Sequence, residues 1–529
     1  MSKQSFLHGA MILVLASVIT KIIGMGMQIV LNRIVGPEGI GLFRLVFPML
    51  SMVLTLSTIG LPTAVSKVVA EAIVVGDRRK VKRIMVFTTS VITVLATFFT
   101  ILVVSMAPWL TSHLLTDSRT YYTVLMMSPT ILIISWSSIL RGYFQGIQNQ
   151  SPPSIAWILE TIVRSLVTLT IVYLCMPDLL KASAGAMFGV LAGELAHLLY
   201  IGACYYRKFG LNKISFPPMP AHVKPESYGK TIRSLFEVAA PVLVAGIIGS
   251  LVYWSETLLI PRALIAAGHA QTEATALFGL YSGYAVSLLV LPTVFTYALS
   301  TTLVPAISEA IAIGQPTLVQ RRLYQAFRFT AMLGLPASVI FTLLATELST
   351  AIYNTPSAGP LLAIMAPVGF FIYLKSPLSS ILQGMNRAGL ATFFSVVGSL
   401  FKLAIIYWVA SIPGIGIRGV AWSVVLSNVF VASAYFVTVT RLIGFYIDLA
   451  DTMKILISTL VMSLIILQAK AVTAGIGASY TVIVSVTTGA LVYVMLLFLF
   501  RALSLHTVKR IPYIGPLAAK ALQWIPFVK

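Results

Sequence analysis

One stretch limits the folds open to this chain more than any other: Gly9–Leu31, GAMILVLASVITKIIGMGMQIVL, about 23 residues with Lys21 as their single charge. About 20 apolar residues, each rising about 1.5 Å along a helix, cover the roughly 30 Å hydrocarbon core of a bilayer. The run therefore reads as a membrane-spanning helix. Lys21 lies about 12 residues in, roughly 18 Å along the axis and close to mid-membrane. An ammonium at that depth costs on the order of 3 kcal/mol on insertion scales. Water, a carboxylate or an anionic ligand inside the protein must offset that cost, and the depth argues against a lysine that snorkels to the interface. Lys21 is thus the first candidate for a cavity-facing functional residue.

Composition extends the reading to the whole chain. Of 529 residues, 58% are hydrophobic and only 10% charged, and mean hydropathy is +0.95. A soluble protein carries about 25% charged residues. The formal net charge of +21 could suggest nucleic acid. Basic residues beside membrane spans have a simpler cause, since they hold loops on the cytoplasmic side and meet anionic lipid. Membrane lipids are expected partners and nucleic acid is not. Cys175 and Cys204 both fall in apolar spans, which does not indicate a disulfide framework. The first apolar run is too long for a cleavable signal and lacks a clear small-residue cleavage site.

Apolar runs separated by loops predict an all-α polytopic membrane protein of about 14 transmembrane helices. They cover roughly 9–31, 43–72, 84–107, 121–142, 154–176, 183–205, 235–261, 276–301, 322–345, 360–381, 392–410, 418–440, 452–473 and 478–503. The second is long enough to project past the bilayer. Alternate loops are rich in basic residues: Arg78, Arg79, Lys80, Lys82 and Arg83, then the set from Arg207 to Arg233, then Arg321 and Arg322, then Lys509, Arg510 and Lys520 in the tail. The other loops carry Arg33, Arg119, Lys181, Arg262 and Arg418 singly. The positive-inside rule then places both termini in the cytoplasm.

An internal repeat organises the chain. A shift of 238 residues sets Gly41-Leu42-Phe43 on Gly279-Leu280-Tyr281, Glu71-Ala72-Ile73 on Glu309-Ala310-Ile311, Pro129 on Pro367, Gln145-Gly146 on Gln383-Gly384 and Arg164 on Lys402. Arg33 meets Arg262 at a shift of 229, and Gly185 and Glu194 meet Gly419 and Asn428 at 234. Helices 1–6 and 7–12 then form two parallel six-helix repeats, an arrangement in which transporters hold substrate between the halves and rock them. The expected division is a lobe at 1–205, a basic cytoplasmic linker at 206–234 containing Phe216-Pro217-Pro218-Met219-Pro220, a lobe at 235–442, two extra helices at 443–505 and a cytoplasmic tail at 506–529.

Charges inside the spans are the candidate site residues. Besides Lys21 they include Arg44, Arg164, Lys375 and Lys402, with Arg262 near a helix end. Lys67 and Glu71, spaced i, i+4, predict a local structural ion pair. Glu256 lies about 20 residues into its helix and reads as a coupling or gating carboxylate, a partner for a basic residue such as Arg44 or Arg262, or a partly solvated acid near a helix end. Glu194 joins it as a coupling or gating candidate. The Glu194-Leu195-Ala196-His197 spacing occurs in di-iron bundles, but such sites need a second copy and further carboxylates, and the repeat supplies Asn428 instead. No metal is expected there. The chain has no P-loop, HExxH or Gly-x-Ser-x-Gly motif, and an enzyme is not expected. Prolines such as Pro48, Pro62, Pro129, Pro292 and Pro367 mark kinks.

Leu140-Arg141-Gly142-Tyr143-Phe144-Gln145-Gly146-Ile147-Gln148-Asn149 resembles the signature of the stage V sporulation protein B family. Gly36–Leu42, Gly60–Lys67 with Glu71, Ala184–Met187 and Ala192-Gly193-Glu194 resemble it too. That family belongs to the multidrug/oligosaccharidyl-lipid/polysaccharide exporter superfamily, with MurJ-type, Wzx-type and MATE transporters. The resemblance implies a V-shaped central cavity, alternating access without a cofactor, and a polyprenyl-diphosphate-linked sugar as cargo. In sporulation-type members that cargo is the lipid II-type precursor of cortex peptidoglycan, moved outward across a bacterial cell membrane or forespore membrane. Cell-wall synthesis enzymes become candidate partners, and membrane potential, H+ or Na+ a candidate energy source. Thr20-Lys21-Ile22-Ile23-Gly24 matches the Ser-Arg-Val-Leu-Gly of MurJ-type proteins, which gives Lys21 the place of a cavity arginine. The next charged pair of that pattern becomes Met27-Gln28, and a helix-2 arginine falls near Met52, so Arg44, Arg164, Arg262 and Lys402 are the candidate replacements. A cationic cavity suits a diphosphate. The runner-up is a cation-coupled drug exporter of the MATE type, and a third reading is a scaffold for envelope synthesis that transports nothing.

Overall fold

The computed structural model describes residues 6–209, 226–444 and 448–503. Most of the predicted linker, including Phe216–Pro220, and the tail from 506 lie outside them. Every regular element among the described residues is helical. The helices are α1 (Phe6–Thr58), α2 (Leu61–Val75), α3 (Arg78–Trp109), α4 (Tyr121–Gly146), α5 (Ser151–Cys175), α6 (Leu179–Cys204), α7 (Tyr228–Ala266), α8 (Gln271–Gly279), α9 (Val286–Leu289) and α10 (Thr293–Ala312). There follow α11 (Pro316–Leu343), α12 (Ala345–Tyr353), α13 (Gly359–Met365), α14 (Gly369–Gly384), α15 (Ala388–Val409), α16 (Ile417–Ile443), α17 (Leu449–Val472) and α18 (Ala478–Leu499). Short π- and 3₁₀-helical turns join several of them. In hydrocarbon a helix satisfies its own backbone groups, which is why long apolar runs settle into this form.

Thirteen helices among the described residues are long and apolar enough to cross a membrane, against about 14 predicted. The difference lies at the front of the chain, where the first two predicted spans form one element. It bends at Gly36 (φ 72°, ψ 177°), a conformation open to glycine and set beside Pro37, which has no amide proton to donate. The second predicted span does not run unbroken to 72. It stops at Thr58, and Ile59 (φ 42°) and Gly60 (φ 72°) turn the chain into α2. The predicted span at 276–301 is likewise interrupted, with α8, a π-helical turn and α9 before α10 begins beyond Pro292.

Packing divides the chain into two compact units, one within Met1–Gly283 and Ala410–Gly416, the other within Tyr284–Val409 and Ile417–Lys529. In the first, α7 packs on α1, where the Thr55 and Ser250 hydroxyls lie 2.8 Å apart. Leu61, Val65, Ile84, Tyr143, Phe144 and Leu235 form part of its core. A second core in the same unit gathers Val46, Met49, Val124, Met127 and Met187.

In the second unit, α17 and α18 pack against α11 and α12. Asp451 of α17 takes Tyr324 (3.1 Å), Arg328 (3.2 Å) and Lys454 (3.0 Å), and Lys470 pairs with Glu347 at 2.8 Å. The Tyr493 hydroxyl of α18 donates to the Met332 carbonyl at 2.9 Å.

The α5–α6 contact positions the charges discussed next. Gly185, Gly189 and Gly193 recur every fourth residue and line one face of α6. A Cβ at Gly189 would meet the Thr168 backbone at 2.8 Å, and one at Gly193 the Glu160 carbonyl at 2.9 Å. Only residues without side chains allow the helices this close. His197, one turn further along that face, is thereby brought to Glu160.

Candidate functional site

The first unit holds three polar groupings. On α1, Lys21 is exposed and makes no ion pair within 4.0 Å among the described residues. Further along the same helix, Gln28 and Asn32 both donate to the Gly283 carbonyl at 2.9 Å. Half-buried Arg44 of α1 and Glu256 of α7 both act electrostatically on Tyr253, and Glu256 accepts a hydrogen bond from the Tyr281 hydroxyl at 2.9 Å. The sequence marked Arg44 and Glu256. It gave no sign of the two tyrosines, because nothing in their local pattern separates a bonded tyrosine from a packed one.

The second grouping joins α5 to α6. Glu160 is 8% exposed and His197 1%. One Glu160 oxygen accepts from Arg164 at 3.0 Å and the other lies 3.0 Å from His197 Nδ1. Glu194 is half-buried beside them, within reach of the charges of Arg141 and Arg164. Among the described residues, Glu160, Glu194 and His197 are a group able to offer one ligand atom each with all three atoms within 4.8 Å of one another. Sequence reasoning named Arg164 and Glu194 but passed over Glu160, though the i, i+4 spacing from Glu160 to Arg164 was visible.

The third grouping centres on Asp117, which lies outside the candidate spans. Asp117, 1% exposed, accepts from Arg119 (2.8 Å) and from the Thr275 hydroxyl (2.9 Å), and Arg119 also holds Glu38. Burial by itself pushes the Asp117 carboxyl up, but its bonds from the Arg119 side chain and backbone and from Thr275 outweigh that and hold it below its ordinary value. Arg262 belongs to this end of the unit, donating to the carbonyls of Leu114 (2.9 Å) and His113 (3.3 Å). Its contacts tie α7 to the turn after α3. The predicted Lys67–Glu71 pair also differs: both residues are exposed on α2, and no contact within 4.0 Å joins them among the described residues.

In the second unit, Lys402 of α15 is half-buried, and Lys375 Nζ donates to Asn428 Oδ1 at 3.0 Å.

Long apolar helices, kinked at glycine and proline and carrying charges along their length, define a multi-pass membrane protein. The family described as "Polysaccharide biosynthesis protein" matches residues 6–311, and MatE matches residues 268–408. The chain is 36% identical to stage V sporulation protein B of Bacillus subtilis (strain 168), over 98% of this chain and 99% of that protein. It is 28% identical to the lipid II flippase MurJ of the same organism, over 76% of this chain and 77% of that one. A solved structure of lipid II flippase MurJ in an inward closed conformation superposes with a TM-score of 0.65 at 14% identity, covering 91% of this chain and 97% of that one. The chain belongs to the polysaccharide biosynthesis protein family and is similar to stage V sporulation protein B along nearly its whole length.

Proposed function

We propose that the protein is an alternating-access flippase for a polyprenyl-diphosphate-linked sugar, the lipid II-type precursor of spore cortex being the favoured cargo. The observation that carries this reading is Lys21, a cation deep in an apolar helix, exposed and without a carboxylate partner among the described residues. A diphosphate head group supplies the missing counter-charge. Arg44 is its candidate companion on the same helix, while Arg164 is already engaged with Glu160. Movement is outward from the cytoplasm, where both termini lie, and membrane potential, H+ or Na+ drives it.

Cells of the source organism depleted of the protein test this. Lipid-linked precursors are extracted, the fraction accessible outside is scored, and wild type or Lys21→Ala is supplied in trans. The reading predicts precursor trapped inside, rescued by wild type and at least tenfold less by Lys21→Ala at equal expression. Full rescue by Lys21→Ala overturns it. The match of residues 268–408 to MatE supports a second reading, a cation-coupled drug exporter. That reading predicts normal precursor exposure together with sensitivity to lipophilic cations.

A further inference from the structure

We infer that α7 and α8 travel with the first unit throughout the transport cycle, although the internal repeat makes them the opening helices of its second copy. The inference rests on the proposed alternating access and on no particular cargo. Three observations converge. The first is contact along the whole of α7. Just before its start, Glu226 pairs with Lys80 at 2.5 Å and its carbonyl accepts from Arg83 at 2.8 Å. Phe87 meets Tyr228 and Phe236 edge-on, with ring centroids 6.4 Å apart, and a Cβ on Gly60 would lie 2.5 Å from the Ala239 carbonyl oxygen. The Thr55–Ser250 contact follows further along the helix. Near its end Arg262 holds the Leu114 carbonyl, and just beyond it Gln271 donates to the Thr116 carbonyl at 2.5 Å. A helix that rocks away from a neighbour keeps contact at one end and gives it up at the other. α7 is held at both.

The second observation is that α8 lies against α1 through a reciprocal pair of glycines. A Cβ on Gly41 would run into the Thr275 carbonyl oxygen, and one on Gly279 into that of Pro37. The 238-residue shift of the repeat exchanges these positions, setting Gly41 on Gly279 and Pro37 on Thr275. Backbones meet here with no side chain between them. Close-packed surfaces of this kind hold one register and do not deform continuously.

The third is an abrupt change of partners. The Gly283 carbonyl accepts from both Gln28 and Asn32 of α1 at 2.9 Å. The next residue, Tyr284, is buried with its ring centroid 4.9 Å from that of Tyr353 of α12, and the Leu289 carbonyl accepts from the Tyr373 hydroxyl of α14 at 2.9 Å. Tyr284, Leu289, Tyr353 and Tyr373 all belong to the second unit. The change falls inside the π-helical turn Leu280–Ala285. Hinges are a few residues at the ends of elements that absorb a change of backbone angle, and π-helical turns recur at functional sites. The bend of the transport cycle therefore belongs to this turn and not to the linker at 206–234.

The test uses full-length protein carrying Cys175→Ser and Cys204→Ser, supplied to cells depleted of the native protein and scored by precursor exposure. Two cysteine pairs tie α7 and α8 to the first unit at opposite ends of α7. One is Phe87→Cys with Phe236→Cys, replaced by Lys80→Cys with Glu226→Cys where the first pair folds poorly. The other is Thr116→Cys with Gln271→Cys. A short, permeant, reducible thiol crosslinker closes each pair, loss of free thiol confirms closure, and the cysteine-free protein receives the same reagent. The expected result is that each closed pair keeps at least half the export it supported before closure. A fall below half at either end, reversed by reductant, overturns the proposal, because α7 must then part from the first unit there. If wild type exports no precursor, the flippase reading falls instead, and the closed pairs are scored in the same way on resistance to lipophilic cations.

Discussion

In the first unit, α5 and α6 meet through Glu160 and His197, 3.0 Å apart. The sequence shifts of 238 and 234 residues carry these positions to Gly398 and Val431, and α15 and α16 of the second unit meet there too. A Cβ on Gly398 would lie 2.1 Å from Val431 Cγ2. The small residues have changed sides. In the first unit glycines on α6 admit α5, whereas in the second Gly398 of α15 admits α16, whose Ser423 and Ser427 are buried. The same close approach is made once at a Glu160–His197 contact and once at a Gly398–Val431 contact. Apolar packing suffices to join such helices, and buried ion pairs are weak evidence for stability.

The comparison can be broken most forcefully by moving the charge. Gly398→Glu places a carboxylate where the second unit offers Val431, and desolvation with overpacking costs about 4 kcal/mol or more. The yield of monodisperse protein in detergent should collapse, and adding Val431→His should recover part of it. If Gly398→Glu behaves like Gly398→Ala, the two interfaces are not alternatives in the sense argued above.

Glu160→Ala strands Arg164 and His197 without their acceptor, at a cost of about 3 kcal/mol. A fall in Tm measures it, and Glu160→Gln, which keeps one acceptor oxygen, should lose less.

Glu194 and Asn428 sharpen the contrast further. Asn428 is held by Lys375 at 3.0 Å and donates to the Val424 carbonyl at 2.8 Å. Asn428→Ala should therefore lower stability by about 1 kcal/mol. Glu194→Gln should leave Tm unchanged or raise it, because it removes a half-buried charge that makes no hydrogen bond among the described residues and lies beside the Glu160 carboxylate.

The smallest effect lies outside both interfaces. The folded-state pKa of Asp117 is lowered, so its contribution is present above the unfolded value of about 3.9 and is lost as pH falls through the lowered one. Stability should show no Asp117-dependent change between pH 8 and pH 5. An acid loss below about pH 4 should shrink in Asp117→Asn, as thermal melts across that range would show.

Much of this protein is written locally. Runs of apolar residues at bilayer length specify helices whatever surrounds them, because hydrocarbon leaves the backbone no other way to satisfy its polar groups. Gly36-Pro37 and the turn at Gly60 were legible as residues but not as breaks. A proline kinks or ends a helix according to what packs nearby, and two spans fused where a gap was expected.

Charges at depth were legible too. Lys21, Arg44, Arg164, Glu194 and Glu256 all stand out against apolar neighbours, yet their roles depend on partners far away in sequence. Glu160 and His197 lie 37 residues apart, Arg262 and Leu114 148. The Lys67–Glu71 spacing permitted a pair that the exposed side chains do not make, since water competes for a surface ion pair and helical spacing alone does not impose it. The sequence by itself determined an all-helical membrane chain with cations at mid-membrane. Only the tertiary structure decided which charges meet one another, because desolvation and distance are set by packing between helices.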